Sequence, residues 1–243
     1  MNRRRYAPWL GLALLGTLCA LPASGLQATD QDDGNRPPAT RPVWAVEGVP
    51  DTVWLLVEAE AATPDRDRGK EILKEAEVHA RAAVEGHEDD AGRRFALAVV
   101  LGLRADREGG RTKVRAASEL HDELEVILEL DPDHAPARHL LGRLHAGVLR
   151  MNRITRWVAT NLLGGDALKA ATWEEAERNL LFAAQRIPEV GEHHLQLANL
   201  YRDTDRTELA LEEIEHVLAL PAETPLAEAT RGEALELREK LGG

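Results

Sequence analysis

From Asp67 to the end of the chain, apolar residues recur at helical spacing in successive blocks. Each block is cut by a stop near Gly86, Gly109-Gly110, Asp131-Pro132, Gly164-Gly165, Pro188, Thr204-Asp205 or Pro221. This punctuation constrains the fold more than any other feature. Every block is long enough for a helix, yet none can bury its own apolar stripe, so the blocks must pack on one another. The glycine pairs suit reversals, because glycine reaches positive φ without a Cβ clash, and Pro132 and Pro188 stop a helix by blocking its continuation. The spacing predicts eight or nine antiparallel helices and no strand. Composition agrees: aromatic residues are only 4 %, while Ala, Leu, Glu and Arg dominate.

The blocks also pair into a repeat. A unit of two helices, roughly 34 residues long, with small residues where the helices approach and a proline at the end, is the signature of a tetratricopeptide repeat. The clearest copy sets Leu197-Ala198, Leu200 and Tyr201 on its first helix and Ala210, Ile214 and Val217 on its second, closing near Pro221. The copy before it is split: Leu141-Gly142 on one helix and Ala176, Leu180, Ala183 and Pro188 on the other, with a long insertion between. A more degenerate copy pairs Phe95 to Leu103 with Leu120, Leu124 and Ile127 and ends at Asp131-Pro132. The expected fold is all-α, a tetratricopeptide-like antiparallel helical-hairpin solenoid with an inserted helix and a C-terminal capping helix over about Pro225 to Leu241.

Three segments follow from composition. Residues 1–25 read as a signal peptide: Arg3, Arg4 and Arg5, then an apolar stretch from Trp9 to Leu21, then Ala23-Ser24-Gly25 as a small-residue cleavage site. An anchor through residues 6–23 is the weaker reading, since a spanning helix needs about 20 apolar residues. Residues 26–50 are polar and broken by Pro37, Pro38, Pro42 and Pro50, which reads as a flexible linker, and residues 51–243 hold the repeats. Asp51 is placed to cap a short apolar helix through Val53, Trp54, Leu55 and Val57, a lid over the first repeat. The expected destination is outside the cytoplasm, periplasmic or extracellular. The only cysteine, Cys19, lies in the signal, so cleavage leaves no thiol for disulfide, metal or catalysis.

Charge and motifs exclude several functions. With 42 acidic against 30 basic residues, a net of -12, the chain has no general attraction for nucleic acid. The sequence carries no serine-nucleophile motif, phosphate loop or dinucleotide fingerprint, and its only serines are Ser24 and Ser118. The carboxylate pairs Glu174-Glu175 and Glu212-Glu213 are adjacent, so they point apart on a helix. Among nine histidines, neither His134, His139 and His145 nor His193-His194 converges on one helical face. No catalytic residue, metal site or cofactor is expected, and the chain reads as a binding module or scaffold.

Two surfaces are candidates for that binding. The first helix of each pair lines the concave face of such a solenoid, which nominates Arg138, His145, His194 and Tyr201 for holding a peptide or protein partner. The alternative is the insertion, where Arg150, Arg153 and Arg156 alternate with Met151, Ile154, Trp157, Val158 and Leu162. One helix face is then basic and the other apolar, suited to anionic lipid, or else Ile154, Trp157, Val158 and Leu162 seal the gap that the insertion makes. A second basic run, Arg104, Arg107, Arg111, Lys113 and Arg115, is expected on a glycine-broken loop.

The order of these features resembles a known family. His139-Leu140-Leu141-Gly142-Arg143, the inserted helix ending in Leu162-Leu163-Gly164, and Thr172-Trp173-Glu174-Glu175-Ala176 match in sequence the segments of the regulator of microtubule dynamics family. The resemblance covers about Arg68 to Leu241 and implies a modified tetratricopeptide domain used for binding, with microtubules, or lipids at organelle contact sites, as the associations of family members. Two departures stand out. A short export signal replaces the longer membrane anchor of the animal members, and an exported chain does not meet cytosolic tubulin. Leu144-His145-Ala146-Gly147 stands where relatives carry a bulkier, aromatic-rich stretch.

Overall fold

The computed structural model describes residues 49–242. The expected signal peptide, and residues 26–48 of the expected linker, lie outside the described residues. Ten α-helices follow one another: α1 (Asp51–Ala61), α2 (Arg66–Val84), α3 (Ala91–Arg107), α4 (Gly110–Leu130), α5 (Ala135–Arg150), α6 (Arg153–Leu162), α7 (Trp173–Arg186), α8 (Gly191–Asp203), α9 (Thr207–Ala219) and α10 (Pro225–Leu241), with a 3-10 turn at Asp166–Ala170. There is no strand among the described residues. None of the described helices is long and apolar enough to cross a membrane.

Short polar residues set the helix starts. Asp65, Asp90, Asn152, Thr172 and Thr224 each accept a hydrogen bond from a backbone N–H two or three residues on, satisfying donors that the first turn leaves open. Before α5, the His134 ring takes that role toward the Ala137 N–H. Asp51 does not cap α1. Pro50 holds the cap position, and Asp51 sits in the first turn, where a negative charge favours the helix dipole.

Neighbours in sequence are neighbours in space. α1 packs on α2, α2 on α3, α3 on α4, α4 on α5, α5 on α7, α7 on α8, α8 on α9, and α10 on both α8 and α9. The short links between consecutive helices make each such pair antiparallel. Residues assigned to the repeat form the core: Phe95, Leu97, Leu101, Leu120, Leu124 and Ile127 are fully buried in a cluster that runs from α1 to α5. Gly142 marks the close step between α5 and α7. A Cβ there would lie 2.7 Å from Leu180 Cγ and 2.9 Å from the Ala176 carbonyl oxygen.

The basic run is not a loop. Arg104 and Arg107 end α3, where a cation favours the helix dipole, and they pair with Glu77 of α2 and with Glu60 of α1. The inserted residues instead lengthen α4, which begins at Gly110 and includes Arg111, Lys113 and Arg115.

The second insertion stands aside from the stack. The 3-10 turn rests on α4, and α6 rests on the turn. Gly164 turns the chain at φ 86, and the neighbouring backbone is pinned by the Ser118 hydroxyl, which donates to the Gly164 carbonyl at 3.3 Å.

Candidate functional site

Helix α5 gives its apolar side chains to two different clusters. Leu140, Leu141, Leu144 and Val148 join the core of α1 to α4, whereas Ala146 joins the cluster of α7 to α9. Between these surfaces α5 carries His139 and Arg143, four residues apart and therefore on one face. Both are buried, and they meet the buried Glu192 and His193 at the start of α8. His139 Nδ1 lies 2.9 Å from His193 Nδ1. Arg143 Nη1 lies 3.2 Å from a Glu192 oxygen, and Gln196 donates to the same oxygen at 2.8 Å.

Burial dominates the protonation of this group. It lifts the Glu192 carboxyl to about 7, against the pull of Arg143, and it lowers His193 to about 4, helped by the charges of His194 and Arg143. His139 falls well below the usual imidazole value for the same reason, with His193 and Arg143 adding to it. A second buried pair lies on the other side of α5. His145 stacks on His121 of α4 at 5.7 Å, and burial and His121 take His145 to about 4. Among the described residues no group of three His, Cys, Asp or Glu is placed to hold a metal ion.

Each of the four nominated groove residues is engaged by neighbours within the fold. Arg138 donates from Nε and Nη2 to the Pro132 carbonyl and from Nη1 to Asn179, and it lies over the Phe182 ring. His145 is buried against α4. His194 spans Glu213 at 2.7 Å and the Pro188 carbonyl at 3.1 Å. Tyr201 is buried beneath Arg206, 4.6 Å from its ring, and burial pushes its hydroxyl up to about 12.

Helix α6 does the reverse of α5. Ile154 is 77 % exposed, and Trp157 and Leu162 are each 56 % exposed, while only Ala159 and Thr160 are buried. Of the four side chains that one reading expected to close the gap, Ile154, Trp157 and Leu162 therefore do not, and Val158 is half-buried. Gly165, packed against Ala159 and Val114, and the buried Leu168 do so instead. Arg153 is exposed, Arg156 reaches the Leu149 carbonyl at 3.5 Å, and Arg150 pairs with Asp203 of α8. The chain has no acidic residue between Asp133 and Asp166, so the surroundings of α6 in sequence are purely cationic within a chain of net charge -12.

Sequence reasoning missed Glu192 and the pairing of His139 with His193. The spacing of His139 and Arg143 on one face was the available hint, but their partners lie on a helix about 50 positions later. The model of the family described as "Regulator of microtubule dynamics protein 1-3" matches residues 52–242, which is nearly the whole of the described chain. None of the curated proteins matches it.

Proposed function

The chain belongs to the regulator of microtubule dynamics family, and we propose that it is an exported, non-catalytic, tetratricopeptide-like module that docks on an anionic membrane surface through α6. The observation that carries this reading is the outward apolar face of α6, Ile154, Trp157 and Leu162, in a stretch with arginine and no acid. Exposing such side chains forgoes roughly 1.5–3 kcal/mol for each large aliphatic residue relative to burial, and nothing among the described residues packed on α6 recovers it.

The form of the helix selects the partner. Ten residues make about 15 Å of helix. That is enough to lie in the interface between headgroups and acyl chains, and too short to span a bilayer. Trp157 suits the interfacial layer, and each arginine close to an anionic surface adds about 1 kcal/mol. The net charge of -12 keeps the rest of the chain off that surface, so docking is confined to one face.

The tetratricopeptide-like reading is supported by the sequential packing of helices and by the close approach at Gly142. The reading as non-catalytic rests on the missing motifs, and export rests on Met1 to Gly25. A peptide groove built on Arg138, His194 and Tyr201 finds less support, because those side chains are already held within the fold.

Flotation of the full chain with vesicles of phosphatidylcholine, with and without phosphatidylglycerol, tests this reading. Docking through α6 predicts flotation only with the anionic lipid, and its loss in Arg153→Glu with Arg156→Glu. Unchanged flotation in that variant, or flotation lost instead in His194→Ala with Tyr201→Ala, contradicts it.

A further inference from the structure

Helices α5 and α8 meet across two histidines that touch nitrogen to nitrogen. With His139 Nδ1 and His193 Nδ1 2.9 Å apart, one carries a hydrogen and the other accepts it. His139 Nε2 decides which. It is buried with no hydrogen-bond partner, and a bare lone pair there costs less than an orphaned N–H. His139 is therefore protonated on Nδ1 and donates, and His193 accepts on Nδ1 and carries its own hydrogen on Nε2. A first additional proton leaves this hydrogen bond in place. A second sets N–H against N–H.

The surroundings make that second proton hard to hold. From α5, Arg143 brings a permanent charge, 4 % exposed, which pairs with Glu192 through Nη1 and whose Nε has no hydrogen-bond partner among the described residues. From α8 come Glu192, Gln196 and His194, the last tied to Glu213 of α9. From α10, Glu233 acts on both Glu192 and Arg143, with Glu236 and Lys240 acting on it in turn. Glu192 and Glu233 are the acids facing the seam, and burial raises both. Glu192, at about 7, gives up its charge beside Arg143 before His193 takes one at about 4, so on acidification the seam loses that anion before it gains the imidazolium.

We infer that this seam is an acid-opened joint: when the His139–His193 pair takes up its second proton, α8 parts from α5 and carries α9 and α10 with it, while the α3–α4 hairpin stays packed. The division of the core supports the inference, because α3 and α4 lie in one continuous apolar cluster, whereas α5 enters the smaller cluster of α7 to α9 through Ala146 alone. The signs follow from linkage. The histidine contribution is complete above pH 6.5 and is lost as pH falls toward about 4. That of Glu192 runs oppositely, being lost as pH rises from 4.5 to about 7. The shift of His193 from 6.5 to about 4 corresponds to about a 300-fold bias toward the opened seam, the shift of Glu192 from 4.5 to about 7 offsets it with the opposite sign, and His139, lowered in the same direction as His193, tips the sum toward opening.

Hydrogen exchange of the full chain at pH 7 and pH 4, corrected for intrinsic rates, tests this. In Glu192→Gln, which removes the opposing contribution, protection in α8 and α10 is expected to fall by about 100-fold more than in α3 and α4, and the double variant His139→Phe with His193→Leu made in that background is expected to abolish the difference. Joint opening of α3–α4 with α8, retained protection of α8 at pH 4, or an unchanged acid response in the double variant overturns the inference. Should that variant fail to fold, the imidazole nitrogen shifts of the unaltered chain decide. A hydrogen on His139 Nδ1 and a midpoint near 4 for His193 support the joint; a hydrogen on His139 Nε2 or a midpoint near 6.5 overturns it.

Discussion

Helices α5 and α6 are separated only by Met151 and Asn152, yet they distribute polarity in opposite ways. α5 hides His139, Arg143 and His145 from solvent, and α6 offers Ile154, Trp157 and Leu162 to it. Folding alone favours neither arrangement, since burying an ionised group and exposing a large apolar one both cost free energy. The cost in α5 is offset inside the molecule by the Glu192 pair and the His193 hydrogen bond. Among the described residues, nothing offsets the cost in α6. One helix places its polar side chains in contacts inside the fold, and the other leaves three large apolar side chains in solvent.

Substitutions that break this contrast should differ widely in size. The largest effect is expected from Arg143→Ala, which leaves Glu192 buried without its counter-charge and should destabilise the fold by about 3–5 kcal/mol. Removing the guanidinium raises the Glu192 carboxyl further above its present value of about 7. The loss should therefore grow as pH rises, and urea unfolding at pH 5.5 and 8.5 measures both the size and the slope. An equal loss at the two values would mean that Glu192 is not the group left behind.

Next comes Gly142→Ala. The added Cβ falls within 2.9 Å of the Ala176 carbonyl oxygen, which is backbone and yields little, so about 1–3 kcal/mol of overpacking is expected. A lowered melting temperature checks it, and an unchanged one would show that α5 and α7 can separate without cost. The smallest effect on stability belongs to α6. Ile154→Ser and Trp157→Ser should each move unfolding by no more than about 0.5 kcal/mol, because both side chains are exposed. The same two changes should remove vesicle binding, which separates docking from folding.

Much of the fold was legible from the sequence because its information is local. The apolar positions of the repeats, such as Leu124 and Ile214, follow from 3.6-residue periodicity, and the stops at Gly86, Pro132 and Pro188 fall just after the ends of α2, α4 and α7, whereas the one start read from capping, Asp51, gives its place to Pro50. The candidate sites were less legible. Periodicity puts Arg138, His145, His194 and Tyr201 on first helices of pairs, but the register between helices decides whether a side chain faces a groove or a neighbour. His194 meets Glu213 on α9, and Arg138 meets Asn179 on α7. For α6 the pattern gives an apolar and a basic face without saying which one turns outward. That depends on Gly165 and Leu168, which close the gap in its place.

The most direct test uses Trp157 itself. Brominated lipids quench a tryptophan that enters the bilayer, so the fluorescence difference between the unaltered chain and Trp157→Phe is followed on vesicles of brominated phosphatidylcholine with phosphatidylglycerol. Docking through α6 predicts quenching of the Trp157 component on these vesicles, and none when the anionic lipid is omitted. Fluorescence of Trp157 that is untouched by brominated lipid, or quenched equally without anionic lipid, would contradict an α6 that docks on an anionic membrane surface.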